Sequence, residues 1–349
     1  MAKQKTSKKP LILIGILLIA IIILSIIAML TGSSNMSVSD CIKALFKSSS
    51  NGNNRIIWNI RIPRILAAIL AGAGLSVAGL IMQTCLNNPM ASPSTLGVSN
   101  AAVFGANLSI IVFAGGFLNT GNNLNQYGVS ANPYATSLMA FIFSVISILL
   151  VLGLCRIRNF SPNTVVLSGI ALGSVWTAAT TILQFYATDV GLSAAVIWNF
   201  GDLGRATYRT DGIMAGVIII SLIVFFSLAW KYNGLLSGDT SAASLGINVN
   251  LIRFISLGLA SVITAVCVSY LGIIGFVGVI CPHIVKKLIG EDHRFTIIAS
   301  ALMGSFLLIL ADTVSRSIGS GSALPVGAIT TLLGAPFFLV IIFTGRKKI

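Results

Sequence analysis

The sequence predicts an all-α, polytopic membrane protein of about ten transmembrane helices, and three observations predict it. Hydrophobic residues make up 56% of the 349 positions and charged residues only 9%. The mean hydropathy of +0.97 lies outside the range of a water-soluble domain. The apolar residues gather into ten windows, most of them near the length that crosses roughly 30 Å of hydrocarbon, and the basic residues fall between them.

The windows follow in order. Residues 11–31, "LILIGILLIAIIILSIIAML" and its flank, come after Lys3, Lys5, Lys8 and Lys9, and read as a first span because the run is too long for a signal peptide. Residues 32–60 read as a polar external loop containing "SSSNGNN". Windows at 62–83, 95–117, 134–155, 164–187 and 212–230 read as spans two to six. The apolar stretch inside 188–211 is too short to cross and reads as a half-helix at the outer surface. Between Arg253 and Lys286 the chain is too long for one span and short for two, so "GIIGFVG" reads as a turn or broken helix between windows 251–272 and 273–289. Windows 296–315 and 326–344 complete the set.

Charge orients this arrangement. With ten spans and both termini cytoplasmic, 14 of the 22 basic residues lie inside, for a net charge of +11 inside and +3 outside. The formal net charge of +14 therefore sits between apolar spans, with no aromatic-interleaved basic patch that would point to nucleic acid. The whole of 1–349 reads as one polytopic transmembrane domain in the cell membrane, with a basic tail at 1–10 and membrane lipid as its surroundings.

The chemistry-bearing residues are sparse. There is no GxxxxGK[ST] sequence and no nucleophile–base pair, and eight acidic residues and two histidines give little basis for nucleotide hydrolysis. Cys41, Cys85, Cys155, Cys267 and Cys281 are widely spaced and read as small core residues, with neither a disulfide framework nor metal spacing. His283 and His293, near the inner face, read as hydrogen-bonding residues, with proton relay as the alternative. Asp312 and Arg316 share a helix face at the outer end of their span and can pair. Glycines recur within the spans, at Gly72, Gly74 and Gly79, at Gly169 and Gly173, and again at Gly272, Gly275 and Gly278; they imply close helix packing or the wall of a passage.

At "RIPRILAAILAGAGLSVAGLIMQTCLNNPMASPSTLGVSNAAVFGA" the chain resembles the FecCD-type permeases of ABC importers for iron-siderophore complexes, haem and cobalamin. The likeness resumes at "LSGIALGS", "LGIIGFVGVICPHIVKKLIGEDHR", "LADTVSR" and "LPVGAITTLLGAPFF", in the family's order. It implies a cobalamin-importer-like permease fold and a dimer with a second permease subunit, either the same chain or another. It further implies two cytoplasmic ABC ATPases that use the ATP and an extracytoplasmic substrate-binding protein. No cofactor or metal is expected on this chain, and no catalytic residue.

Three groups of residues follow. Arg61 and Arg64 face the same way beside Pro63, at a helix start whose dipole disfavours cations by a few tenths to about 1 kcal/mol each. Residue chemistry leaves docking, snorkelling to lipid phosphate and, for Arg316, pairing with Asp312 all open. The resemblance implies that Arg61, Arg64 and Arg316 grip acidic residues of the binding protein. At 234–250, "GLLSGDTSAASLGINVN" reads as one or two helical turns between glycines, offering Ala242, Ala243 and Leu245 to a groove. The resemblance makes Gly238–Gly246 the ATPase coupling element. "NNPMASPS" at 87–94 reads as a second cytoplasmic turn in which Pro89 and Pro93 stop helices. The passage is expected along the fifth span, with Pro162, Asn163 and Thr164 at the inner gate and Gln184 and Trp176 farther along; Pro162 stands where the family carries a short hydroxyl-rich run.

Two rival classes remain. An ion-coupled secondary transporter would need ionisable or unwound polar sites near the midplane, which these spans largely lack. A membrane scaffold or receptor would need neither a coupling loop nor a gated axis.

Overall fold

In a computed structural model of the chain, residues 8–32, 38–46, 52–114, 132–157, 160–318 and 324–344 are described. The helices are α1 (Lys9–Leu30), α2 (Val38–Phe46), α3 (Asn53–Cys85), α4 (Val98–Phe113), α5 (Pro133–Ile157), α6 (Pro162–Phe185) and α7 (Asp189–Asn199). They continue as α8 (Tyr208–Ser227), α9 (Ala229–Leu235), α10 (Asp239–Ser244), α11 (Val249–Leu271), α12 (Val277–Ile289), α13 (His293–Ile318) and α14 (Val326–Thr344). Among the described residues there is no β-strand, only an isolated bridge between Phe200 and Ile273. Each of the ten apolar windows corresponds to a helix. Seven are long and apolar enough to cross a membrane, namely α1, α3, α5, α6, α8, α11 and α13. Helices α4, α12 and α14 account for the other three windows.

Helix α3 is the axis of the bundle, packed against α13, α11, α12 and α8. It is 33 residues long and begins outside the window with a π turn over Ile57–Arg61. Its small residues explain the packing. A Cβ on Gly72 would stand 2.4 Å from the Gly304 carbonyl oxygen, and one on Gly79 would stand 1.8 Å from that of Gly278. The backbones therefore meet where any side chain would separate them. Hydroxyls bridge the same seams: Ser76 donates to the Ser300 carbonyl at 2.7 Å, and Ser305 to that of Ile69 at 2.8 Å. Helix α1, by contrast, lies at the periphery against α13, with most of its apolar surface exposed.

The break after α11 falls where the glycines predicted it. Gly272 and Phe276 both have positive φ, at 78° and 65°. This non-helical backbone is braced by the segment before α8: the Asp202 amide donates to the Leu271 carbonyl at 2.8 Å, and the Val326 amide to that of Gly201 at 2.8 Å. Irregular backbone is thereby satisfied inside the protein. The half-helix expected within 188–211 is α7.

Two expectations are corrected. The segment 32–60 is not simply loop: α2 buries Cys41 and Ala44 against Ile57, and α3 already begins at Asn53. An amphipathic turn of Cys, Ala and Leu outweighs the polar composition around it. Pro93 opens a 3-10 turn, Pro93–Leu96, where its fixed φ suits a first position, and so does not stop a helix. Lys3, Lys5, Arg158 and Arg346–Lys348, which entered the orientation argument, lie outside the described residues.

Candidate functional site

The loop between α9 and α11 carries a short helix. Helix α10 is a single short stretch held between Gly238 at φ 93° and Gly246 at φ 77°, conformations that glycine adopts without a Cβ penalty. Ala243 and Leu245 are exposed, as a docking element requires, but Ala242 is fully buried against its own chain and offers nothing outward. The helix is anchored by Arg253 of α11, whose guanidinium holds both carboxylate oxygens of Asp239 at 2.8 Å. Sequence reading used Arg253 only to mark a boundary and to count basic residues on one side. A lone cation inside the apolar run "NLIRFISLG" is the signal that it has a partner.

Beside it, His293 at the start of α13 is buried between Asn233 and Thr84, 2.9 Å and 2.8 Å away. The hydrogen-bonding reading of this histidine is the one the geometry fits. Asp292, just before α13, accepts from Arg294 and Asn233, which hold its carboxyl down at about 2.

Helix α6 starts two residues before its apolar window, with Pro162 in the first turn after Ser161, where its fixed φ fits. Asn163 is exposed and Thr164 half-buried at this inner end. Higher up, α6 and the turn before α4 border an open groove of about 500 Å³, lined by Ser94, Asn100, Gly169, Gly173, Ser174 and Thr177. Asn100 donates to the Gly173 carbonyl at 3.1 Å and to the Thr177 hydroxyl at 3.0 Å. Two residues expected on the path turn to neighbouring helices instead. Gln184 donates to the Asn107 side chain at 3.0 Å, and Trp176 donates to Ser147 at 3.0 Å while packing against Phe104 and Phe143.

At the other end of α3, Arg61, Arg64 and Arg316 come together, but they turn into the bundle. Arg61 is 4% exposed; its Nη1 donates to the Met29 carbonyl and lies 3.9 Å from Cys41 Sγ. Arg316 Nη1 donates to the carbonyls of Ala28 and Thr31 at 2.9 Å and 2.8 Å, so both arginines sit at the negative end of the α1 dipole. Asp312, 1% exposed, lies between Arg64 Nε at 2.8 Å and Arg316 Nε at 3.0 Å. Arg64 also approaches Asp202, which is 44% exposed, at 3.7 Å. The Asp312–Arg316 pairing is therefore made. A further acid, Asp211 in the first turn of α8, is buried, with no hydrogen-bond partner among the described residues for either carboxylate oxygen.

These features coincide with one known group of proteins: residues 4–344 match the FecCD transport family. The chain belongs to the FecCD transport family. Its FecCD relatives include an ABC transporter permease protein of Methanocaldococcus jannaschii, 44% identical over 99% of both chains. Another is the permease protein of the Fe(3+)-citrate import system of Bacillus subtilis, 34% identical over 99% of this chain and 98% of that one. Among solved structures, an inward-facing metal-chelate type ABC transporter superposes with a TM-score of 0.80 at 26% identity, covering 96% of this chain and 99% of that one. The FecCD chain described here is thus a multi-pass membrane protein with the permease fold, and its family is a transport component of ABC importers.

Proposed function

We propose that this chain is the membrane subunit of an ATP-driven importer for a metal chelate, of which an iron chelate such as an iron-siderophore complex is the leading class and haem and cobalamin the others. Two permease subunits enclose a passage along α6, two cytoplasmic ATPases seat on α10, and an extracytoplasmic binding protein delivers the chelate. Both termini lie in the cytoplasm, and the chain itself holds no cofactor.

The observation that carries this reading is the groove on α6. A membrane-crossing helix presents Ser174, Thr177 and Thr181 on an exposed face, beside the amide of Asn100. The hydroxyls of Ser174, Thr177 and Thr181 bond to carbonyls four residues back, so they need no partner. An amide-lined cleft of this size against lipid tails is nonetheless unfavourable, and a second permease with a hydrated passage between would cover it. Hydroxyl and amide groups whose own hydrogens are already engaged suit a surface that a bulky chelate slides past without being trapped. The iron-citrate relative and the metal-chelate transporter support the substrate class.

The docking role of the outer arginines takes a narrower form. Arg61 and Arg316 hold carbonyls of their own chain, so they act by shaping the rim. Arg64 and the rim around Asp202 are the part that meets a partner. Three guanidiniums against two carboxylates leave a positive outer field that favours an acidic partner face.

Filling the groove tests the reading. In vesicles carrying the complete importer, Ser174→Trp and Thr177→Trp should abolish chelate uptake while ATPase assembly persists. Uptake at the wild-type rate in both variants would place the passage elsewhere.

A further inference from the structure

Helix α10 is joined to α11 directly by the short chain Leu245–Asn248, so any displacement of α10 reaches α11 through covalent bonds. The inner ends of α3 and α6 have no such link. They are far from α11 in the sequence, and one side chain of α11 reaches both of them. Arg253, 4% exposed in the second turn of α11, donates from Nε to the carbonyl of Cys85, the last residue of α3, at 2.7 Å. Its Nη1 reaches the carbonyl of Phe160 at 3.5 Å. Phe160 immediately precedes Ser161 and Pro162, where α6 begins, and has a positive φ of 52°. The next residue of α11, Phe254, meets the Phe160 ring edge-on at 5.9 Å, so α11 grips this point twice. The remaining edge of the guanidinium is the bidentate pair with Asp239 on α10.

We propose that Arg253 is a positioning residue that carries a displacement of α10 to the inner ends of α3 and α6, linking the partner's ATP hydrolysis to the gate at Pro162, Asn163 and Thr164. The proposal rests on the reading that α10 receives the ATPase. A planar, five-donor fork suits this role because it engages α10, α3 and the approach to α6 at once and in fixed geometry. An ammonium group has neither the fork nor the plane, so Arg253→Lys keeps the charge and loses the simultaneous grip. Asp239 is 52% exposed, so its pair with Arg253 adds little to stability. Asp239→Asn therefore separates the transmission role from folding.

The deciding experiment uses the complete importer in vesicles and reads three quantities: ATPase co-purification, ATP hydrolysed, and chelate moved per ATP. Arg253→Lys should leave assembly and hydrolysis near wild type while chelate moved per ATP falls about tenfold, the scale of a coupling change near 1.4 kcal/mol, and Asp239→Asn, read by that ratio alone, should show the same fall. Ala243→Glu with Leu245→Glu, on the exposed face of α10, is the control for the underlying reading and should abolish co-purification. If that control fails to assemble but Asp239→Asn and Arg253→Lys keep the wild-type ratio, the Arg253 link is wrong and the docking of α10 stands. If the control assembles and transports normally, the ATPase does not use α10 and both ideas fall. A proportional loss of hydrolysis and uptake, with the ratio unchanged, would also overturn the link, because it would mean that Arg253 only holds the fold.

Discussion

Replacing Asp312 by asparagine should cost about 3–5 kcal/mol of stability, the usual penalty for breaking a buried ion pair by removing one partner. The carboxylate is 1% exposed and is shared, Oδ1 with Arg64 at 2.8 Å and Oδ2 with Arg316 at 3.0 Å. An asparagine keeps one acceptor and turns an amide N–H donor toward the other guanidinium. Two like charges then face each other in a site closed to water, with Arg61 close behind at the end of α1. The two contacts do not add, because they share one anion. At the entropy of unfolding usual for folded chains, a penalty of this size lowers the melting temperature of a chain this long by roughly 4–7 °C. The comparison is Asp202→Asn, an exposed carboxylate 3.7 Å from Arg64, for which about 0–1 kcal/mol and a shift near 1 °C are expected. Thermal unfolding in nanodiscs, followed by tryptophan fluorescence, measures both. Equal shifts for the two variants would refute the claim that Asp312 is the keystone of the outer cluster.

Three further outcomes follow from the packing and the charges. Gly79→Ala should destabilise by about 1–3 kcal/mol or more, because its Cβ would meet the Gly278 backbone at 1.8 Å, whereas Gly153→Ala, with nothing within 4 Å, should stabilise by about 0.5–1 kcal/mol; both are read by melting in nanodiscs. Asp211→Asn should leave stability unchanged or raise it, since no partner is lost from either oxygen; a fall of several degrees would show that a cation or proton shared at that site matters, and would favour ion-coupled transport. Asp292 is held at about 2, below its ordinary 3.8, by hydrogen bonds from Arg294 and Asn233. Its contribution is thus complete above about pH 4 and fades as pH falls toward 2. Asp292→Asn should lower stability equally at pH 7 and pH 5, with the difference from wild type closing near pH 2.

The parts of this molecule legible in the sequence are those set by local chemistry. Apolar length marked ten of the helices, α6 among them, Gly272 and its neighbours marked the break, and Gly238 and Gly246 marked the ends of α10. What escaped were partnerships made across the bundle. Arg64 meets Asp312 from 248 residues away, and Arg253 meets the Cys85 carbonyl from 168 away. No spacing rule reaches that far, because the helical registers that bring them together are set by glycine contacts such as Gly79 on Gly278. The same cause explains the turned residues: Ala242 and Gln184 have the right composition for exposed roles, but the face each presents is decided by the helix beside it. For α2, a few buried small residues outweighed a polar surrounding composition.

The central claim is that this chain forms the passage of an ATP-driven importer, and uptake by reconstituted vesicles tests it most directly. Vesicles containing the chain, with and without its ATPase and binding protein, would be given a radiolabelled ferric chelate, with ATP inside or with an imposed proton or sodium gradient. The account predicts uptake only when both partners and internal ATP are present, and no ATP hydrolysis by the chain alone. Uptake by the chain alone, driven by either gradient, would contradict it.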